Sequence, residues 1–355
     1  MWFGAAAIAS AALALALVWR TLLDGAAAPP PPPQVLPMSA CAGCAPHAFG
    51  GLVVGVDLSG VAGGGAPPAW WNATLRRHGG LLLVRDQTLA PTEQILFTQL
   101  FGALETMPAA LDDSATSEHE EQTRATERAL DAEGFDRRHV LRVANAAERG
   151  YTNVGVWWHS DGSMRDRLSA ASIWHLVIEP ARGGATRFTQ PCEVFARADA
   201  AKRAAWRGLR TLHASGLVSN LVHPDPRDPT RECLRVNLAG ATMGLMTRRG
   251  DILRSADILP QADALRILHD LESRFDAAAF EMPYRRGDVV VADGLVVAHH
   301  AAASASAEDG LRVLHRTTVE GRYATEQWHT EFRVRRGGGG GGGVGANGRG
   351  RERTS

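Results

Sequence analysis

Apolar residues along this chain come mostly in short runs closed by glycine or charge. Leu52 to Leu58 and Leu81 to Val84 are of this kind, and such bounded runs predict strands. Similar segments recur at Ser172 to Ile178, Leu234 to Leu238, Val289 to Ala292 and Leu311 to Val319. Helical spacing is confined to fewer places. Pro91 opens a helix through Phe101, with Leu96 and Leu100 one turn apart on its buried face and Gly102 as its stop. Ala200 to Leu212 and Ala262 to Phe275 share that period. Residues 117–133 are almost wholly charged or small, with Glu120 and Arg124 at i,i+4. They predict a solvated helix inside an insert from Asp112 to Arg138. Many strands with a few flanking helices predict a mainly β fold, the double-stranded β-helix or jelly-roll barrel.

The two ends break this pattern. Phe3 to Trp19 is uncharged and rich in alanine and leucine, and Arg20 closes it. As a helix it would be about 25 Å long, near the lower limit for crossing a bilayer. It reads as a membrane anchor or, if cleaved, as a secretory signal; a basic region ahead of it is missing, which favours the anchor. Pro29 to Pro33 forms a stiff spacer after it. Gly337 to Gly343 and the Arg/Gly/Ser remainder cannot bury apolar area. The chain therefore divides into an anchor and linker at 1–47, a folded domain at 48–335 and a disordered tail at 336–355.

Composition narrows the functional classes. The chain has 355 residues, 45% of them apolar, enough for a sizeable core. Basic and acidic residues number 38 each, so no global charge points to nucleic acid as a partner. Among four cysteines only Cys41 and Cys44 form a close pair. No second Cys/His pair follows at zinc spacing, so a linker disulfide or idle thiols are the plainer reading. Cys192 and Cys233 stand alone and read as small buried hydrophobes.

Candidate chemistry begins with His-x-Asp. Two imidazoles and one carboxylate on one face of Fe(II) leave the opposite face for cosubstrate and oxygen. With 13 histidines in the chain, the tripeptide is expected about once by chance, so context must decide. It occurs twice. His223-Pro-Asp225 sits among Pro224, Pro226 and Pro229 and reads as a loop. His159-Ser-Asp161 follows Val154 to Trp158 and leads into a Gly-Ser turn, a strand-to-turn junction where side chains can converge.

The stretch from Trp158 to Ser163, Trp-His-Ser-Asp-Gly-Ser, resembles the signature of the taurine dioxygenase (TauD/TfdA-like) family of 2-oxoglutarate oxygenases. Other segments similar to that family keep its order, among them Gly55 to Leu58, Val84 to Gln87, Val143 to Asn145, Gly183 to Phe188, Arg286 to Val289 and Arg312 to Gly321. Together they cover most of residues 48–322.

The resemblance implies an Fe(II)- and 2-oxoglutarate-dependent dioxygenase that uses O2 and hydroxylates a small organic substrate. It implies His159, Asp161 and His299 as metal ligands. His300 is the neighbouring alternative, and strand alternation allows only one of the two. Gly294 and Leu295 stand where the family has asparagine and arginine. Arg312 matches the arginine that grips the cosubstrate's far carboxylate, a task suited to a forked cation, and Thr186 matches its hydroxyl partner. Arg316, four residues on, faces the same way and implies an anionic or zwitterionic substrate. Asn145 resembles an asparagine near the substrate, with a strand-end hydrogen bond as its plainer role. Trp157, Trp158 and Trp174 either wall the pocket or fill the core. Two other classes remain open from sequence: a membrane-anchored scaffold that keeps the barrel without turnover, and a zinc hydrolase.

Overall fold

A computed structural model describes residues 33–329 apart from 60–64, 107–117, 153, 164–166, 214–216, 236, 239–241, 248–253, 303–306 and 322–326. Its strands are β1 (Gln34–Pro37), β2 (Gly51–Val54), β3 (Leu81–Val84), β4 (Leu141–Ala144), β5 (Ala171–Ile178), β6 (Thr186–Thr189), β7 (Leu209–His213), β8 (Leu217–Asn220), β9 (Val222–Asp225), β10 (Asp228–Leu234), β11 (Thr242–Thr247), β12 (Phe280–Met282), β13 (Val289–Asp293), β14 (Ala298–Ala301), β15 (Val313–Val319) and β16 (Gln327–His329). The helices are α1 (Pro68–Arg77), α2 (Pro91–Gln99), α3 (Glu118–Ala132), α4 (Pro191–Ala196), α5 (Ala200–Arg207) and α6 (Gln261–Ala278).

A seven-stranded sheet in the order β1-β2-β3-β13-β5-β15-β4 is the main layer. Its central strands are covered on both faces, so they read as continuous apolar runs rather than alternating ones. Within each run the pleat still sorts the side chains. Leu81, Leu83, Val290 and Ala292 enter one core with Phe188, Phe280 and Met282 of the small sheet β12-β6-β14. Leu82, Val84, Val289 and Val291 enter a second core beneath α1 and α2, with Trp71, Leu75, Phe97 and Phe101. A third core joins α4, α5 and α6 through Phe195, Trp206 and Phe275. The fold is mainly β with flanking helices, two facing layers of jelly-roll type, as the strand pattern predicts.

Several local expectations change. Leu96 is exposed, and α2 instead buries Gln94, Phe97 and Thr98. Gln94 Nε2 donates to the Ile173 and His315 carbonyls at 3.2 Å each, so a polar side chain belongs on that buried face. The helix expected over 200–212 ends at Arg207 with Gly208 as its cap, and Leu209 onward is β7. The strand expected at 234–238 ends at Leu234, because the chain then leaves its hairpin: Leu238 N donates to Trp158 O. His223 to Asp225 is no loop but β9, paired with β10.

β1 pairs with β2, and Met38 and Cys41 are buried, so the sheet begins ahead of residue 48. Cys192 and Cys233 are not isolated; they form a disulfide joining α4 to β10, and Cys41 bonds Cys44. The membrane expectation is corrected. No helix of the described residues is long and apolar enough to cross a membrane. The longest, α6, packs Ala264, Leu271 and Phe275 into the protein and leaves its charged residues unburied and Leu265 exposed. Phe3 to Trp19 and the tail from 336 lie outside the described residues.

Candidate metal centre and active site

The backbone brings the candidate ligands together. His159 and His299 face each other across an antiparallel bridge, each N–H donating to the other's carbonyl, at 3.0 and 2.9 Å. Their ring centroids are 4.2 Å apart. Asp161 opens the turn that follows, which Gly162 makes possible. Its φ is +74°, and a Cβ there would lie 2.6 Å from Ser169 N. One ligand atom from each of His159, Asp161 and His299 lies within 4.8 Å of the others. Among the described residues no other cluster of three or more such side chains forms.

Each group is prepared electrostatically. His159 Nδ1 lies 2.8 Å from the Trp157 carbonyl and donates to it, which leaves the Nε2 lone pair facing Asp161 Oδ1 at 3.7 Å. Burial keeps both imidazoles neutral: it lowers His159, and burial with His159 beside it takes His299 down to about 3. Burial alone would raise the Asp161 carboxyl, but Arg316 first, with the Ser172 hydroxyl, holds it below the usual carboxylate range. Arg316 Nη1 reaches Asp161 Oδ1 at 2.8 Å, and Ser172 Oγ donates to Oδ2 at 2.5 Å. Two neutral imidazoles and one carboxylate are the donor types a divalent transition metal takes.

Strand alternation assigns the neighbouring histidine elsewhere. His300 points away from the cluster, donates from Nε2 to Val156 O at 2.8 Å and packs on Trp158. The rival pair is also separate: Asp225 bonds Arg227, and His223 Nδ1 meets the Pro224 carbonyl.

His159, Trp174, Thr186, His299, Arg312 and Arg316 line one cavity between the two layers. Arg312 and Arg316 share that wall with Leu314 between them, as alternate positions of one strand do. Arg312 Nε donates to Gly184 O at 2.9 Å. Its guanidinium carbon lies 5.9 Å from the Tyr284 ring, and burial pulls its proton affinity down. No ion pair among the described residues includes Arg312. A partly buried guanidinium without an acidic partner suits a ligand carboxylate. Asn145 is placed differently: its amide donates to Gly310 O at 2.8 Å and its carbonyl accepts from Arg312 N at 2.9 Å. It clasps the backbone that carries Arg312 rather than lining the cavity. Of the tryptophans, Trp174 stands 4.8 Å from the His299 ring, whereas Trp158 is buried against Phe275.

Ser172 and Tyr284 escape sequence reading. Neither belongs to a recognisable motif, and its partner, Asp161 or Arg312, is eleven residues or more away along the chain. Ser172 had one available signal, its alternation with Trp174 on the inward face of a strand.

Comparison with known proteins agrees with this geometry. Residues 45–318 match the taurine catabolism dioxygenase TauD, TfdA family. A protein from Burkholderia xenovorans assigned as an alpha-ketoglutarate-dependent taurine dioxygenase shares the fold, with TM-score 0.60 and 19% identity over 84% of this chain and 98% of that one. A taurine dioxygenase from the same organism gives TM-score 0.60 and 21% identity over 83% and 91%. AAD-2, solved with Mn(II) and N-oxalylglycine, gives 0.55 and 16% over 84% and 100%. No curated protein matches the chain in sequence. Since the family match spans most of the chain, the chain belongs to the TauD/TfdA family as an Fe(II)- and 2-oxoglutarate-dependent dioxygenase.

Proposed function

We propose that His159, Asp161 and His299 hold Fe(II), that Arg312 and Thr186 receive the far carboxylate of 2-oxoglutarate, and that Arg316 receives an anionic group of a small substrate. The reaction is hydroxylation of that substrate with release of succinate and carbon dioxide. One observation carries the reading: a His-Asp-His donor set and a partly buried guanidinium with no acidic partner among the described residues share a single cavity.

Fe(II) with 2-oxoglutarate supplies the activation of O2 that no side chain can provide. What remains to the protein is placement and exclusion of water. His159 presents its Nε2 lone pair because Nδ1 is spent on a backbone carbonyl. Ser172 fixes the second oxygen of Asp161 and so the direction of the first. Trp174 and Phe188 flank the His299 ring and keep that side dry. Arg312 offers the cosubstrate its Nη atoms in parallel, and Asn145 positions it through the backbone. Arg316 gives Nη1 to Asp161, while its buried Nε has no partner among the described residues, and this supports an anionic substrate group there.

The test is Fe(II) affinity of His159→Ala, Asp161→Ala and His299→Ala, beside His300→Ala and His223→Ala. The first three should lose more than the roughly 10- to 100-fold that removal of an outer contact costs. The last two should bind as the unaltered chain does. Full affinity in His159→Ala or His299→Ala would refute the ligand set. Succinate release across a panel of small anions and their neutral analogues then tests the substrate class; stimulation by neutral compounds alone would remove the role given to Arg316.

A further inference from the structure

His299 hangs on a tight connection between β13 and β14, and that connection is organised by one carboxylate. Asp293 Oδ1 accepts from Leu295 N at 3.0 Å, and its carbonyl accepts from Val296 N and Val297 N at 3.2 and 3.0 Å. Its own N–H donates to Gly80 O at 2.8 Å. The far end of the turn is hooked to the ligand segment, because Ser160 Oγ, between His159 and Asp161, donates to Val297 O at 3.1 Å. The turn thus sets where His299 meets the other two candidate ligands.

Asp293 is buried, and an isolated carboxylate there would be costly. Its cation comes from a distant part of the chain. Arg227, at the tip of the β9-β10 hairpin, places Nη1 on Asp293 Oδ2, while its Nε holds Asp225 Oδ1 at 3.2 Å. The hairpin is itself tied to α4 through the Cys192–Cys233 disulfide. No cation is supplied from within the turn, since residue 295 is leucine and residue 294 can only be glycine. A Cβ at 294 would lie 2.0 Å from Ser169 O.

We propose that Arg227 is a positioning residue for the metal centre: by pairing with Asp293 it fixes the 293–298 turn and through it the place of His299. This rests on the reading of His299 as a ligand. The test uses the full metal-free chain titrated with Co(II), followed by calorimetry and by the visible absorption of the bound ion, which reports ligand geometry. Arg227→Met should weaken Co(II) about tenfold or more and alter the absorption. Adding Asp293→Asn to Arg227→Met should restore most of the affinity, because the amide oxygen still accepts from Leu295 N and no unpaired charge remains buried in the turn, while Asp225, outside it, keeps the backbone N–H of residue 227 at 3.0 Å. Arg207→Ala, which breaks the solvent-facing pair between Arg207 of α5 and Glu232 of the same hairpin, should leave Co(II) binding unchanged. If Arg227→Met proves too unstable to titrate, Arg227→Lys carries the test, with a smaller loss and the same change of absorption. Unaltered affinity and absorption in the arginine variant overturn the proposal. A double variant no better than the single one overturns it too, since the loss would then follow general packing. His299→Ala, run alongside, separates the two readings. If His299→Ala binds Co(II) normally, the ligand assignment fails; if it is weakened while Arg227→Met is not, only this inference fails.

Discussion

Two arginines four residues apart line the same cavity in different company. Arg316 is partly neutralised by Asp161, whereas Arg312 has an aromatic ring and a carbonyl beside it and no acidic partner among the described residues. They should therefore fail differently. Losing one partner of a buried charged hydrogen bond costs on the order of 2–5 kcal/mol, well over tenfold in a binding constant. Arg312→Ala should raise the KM for 2-oxoglutarate by more than that tenfold, read as succinate formed without prime substrate at saturating Fe(II). Arg316→Ala should keep this KM within about threefold and lose stimulation by the prime substrate. The opposite ranking would shift the assignment by four residues along the strand. At this scale the ligand candidates are legible because the motif places His159 and Asp161 two residues apart and strand alternation separates His299 from His300. Ser172 and Arg227 are not legible, because each acts on a carboxylate from another element, and only the folded chain shows that it is near.

Strands were easier to read than helices, and the reason is burial. Buried central strands such as β3 and β13 carry unbroken apolar runs that glycine or charge closes. α2 hides polar Gln94 and Thr98 against the interior strands β5 and β15, so its buried face does not follow its apolar residues. The expected 200–212 helix fails at Gly208, after which Leu209 and Leu212 serve a strand instead. Turns are the least legible elements, since their constraints come from neighbours distant in sequence. The 293–298 turn is the sharpest case. Gly294 N donates to Ala170 O at 3.1 Å, and the backbones are too close for any side chain at 294. Gly294→Ala should therefore force the turn off β5 and cost about 3 kcal/mol or more, measured as the drop in urea unfolding free energy. Gly244→Ala in β11 is the matched control. A Cβ there meets nothing within 4 Å, so that variant should remain within about 0.5 kcal/mol of the unaltered chain. Equal stability of the two variants would mean that the β5 contact does not hold the turn.

Over the whole molecule, the two faces of the main sheet carry different chemistry. One side of β5 and β15 turns Ser172, Trp174 and Arg316 toward the cavity, and the other buries a second pair of imidazoles, His175 and His315, directly opposite in register. His315 Nε2 accepts from Arg142 Nε at 3.3 Å, and its ring packs against Phe135 at 5.2 Å. Burial, then Arg142, then His175 push His315 down to about 3; burial also lowers His175. The folded state thus holds both rings neutral, while in the unfolded chain a histidine titrates near 6.5. Below that value the unfolded state binds more protons than the folded one, so stability is full above about pH 6.5 and is lost as pH falls toward 3. The loss for one such group approaches 1.4 kcal/mol per pH unit, or about 2 kcal/mol for His315 by pH 5. Neither ring lies in the cavity that holds the donor set, so the effect belongs to the fold and should persist in His299→Ala. Urea unfolding at pH 7 and pH 5 measures it. Replacing His315 by glutamine should remove about 2 kcal/mol of the difference between the two pH values, because glutamine carries no proton to gain. An undiminished pH difference in His315→Gln would place the acid sensitivity in other groups and leave the buried pair without a part in it.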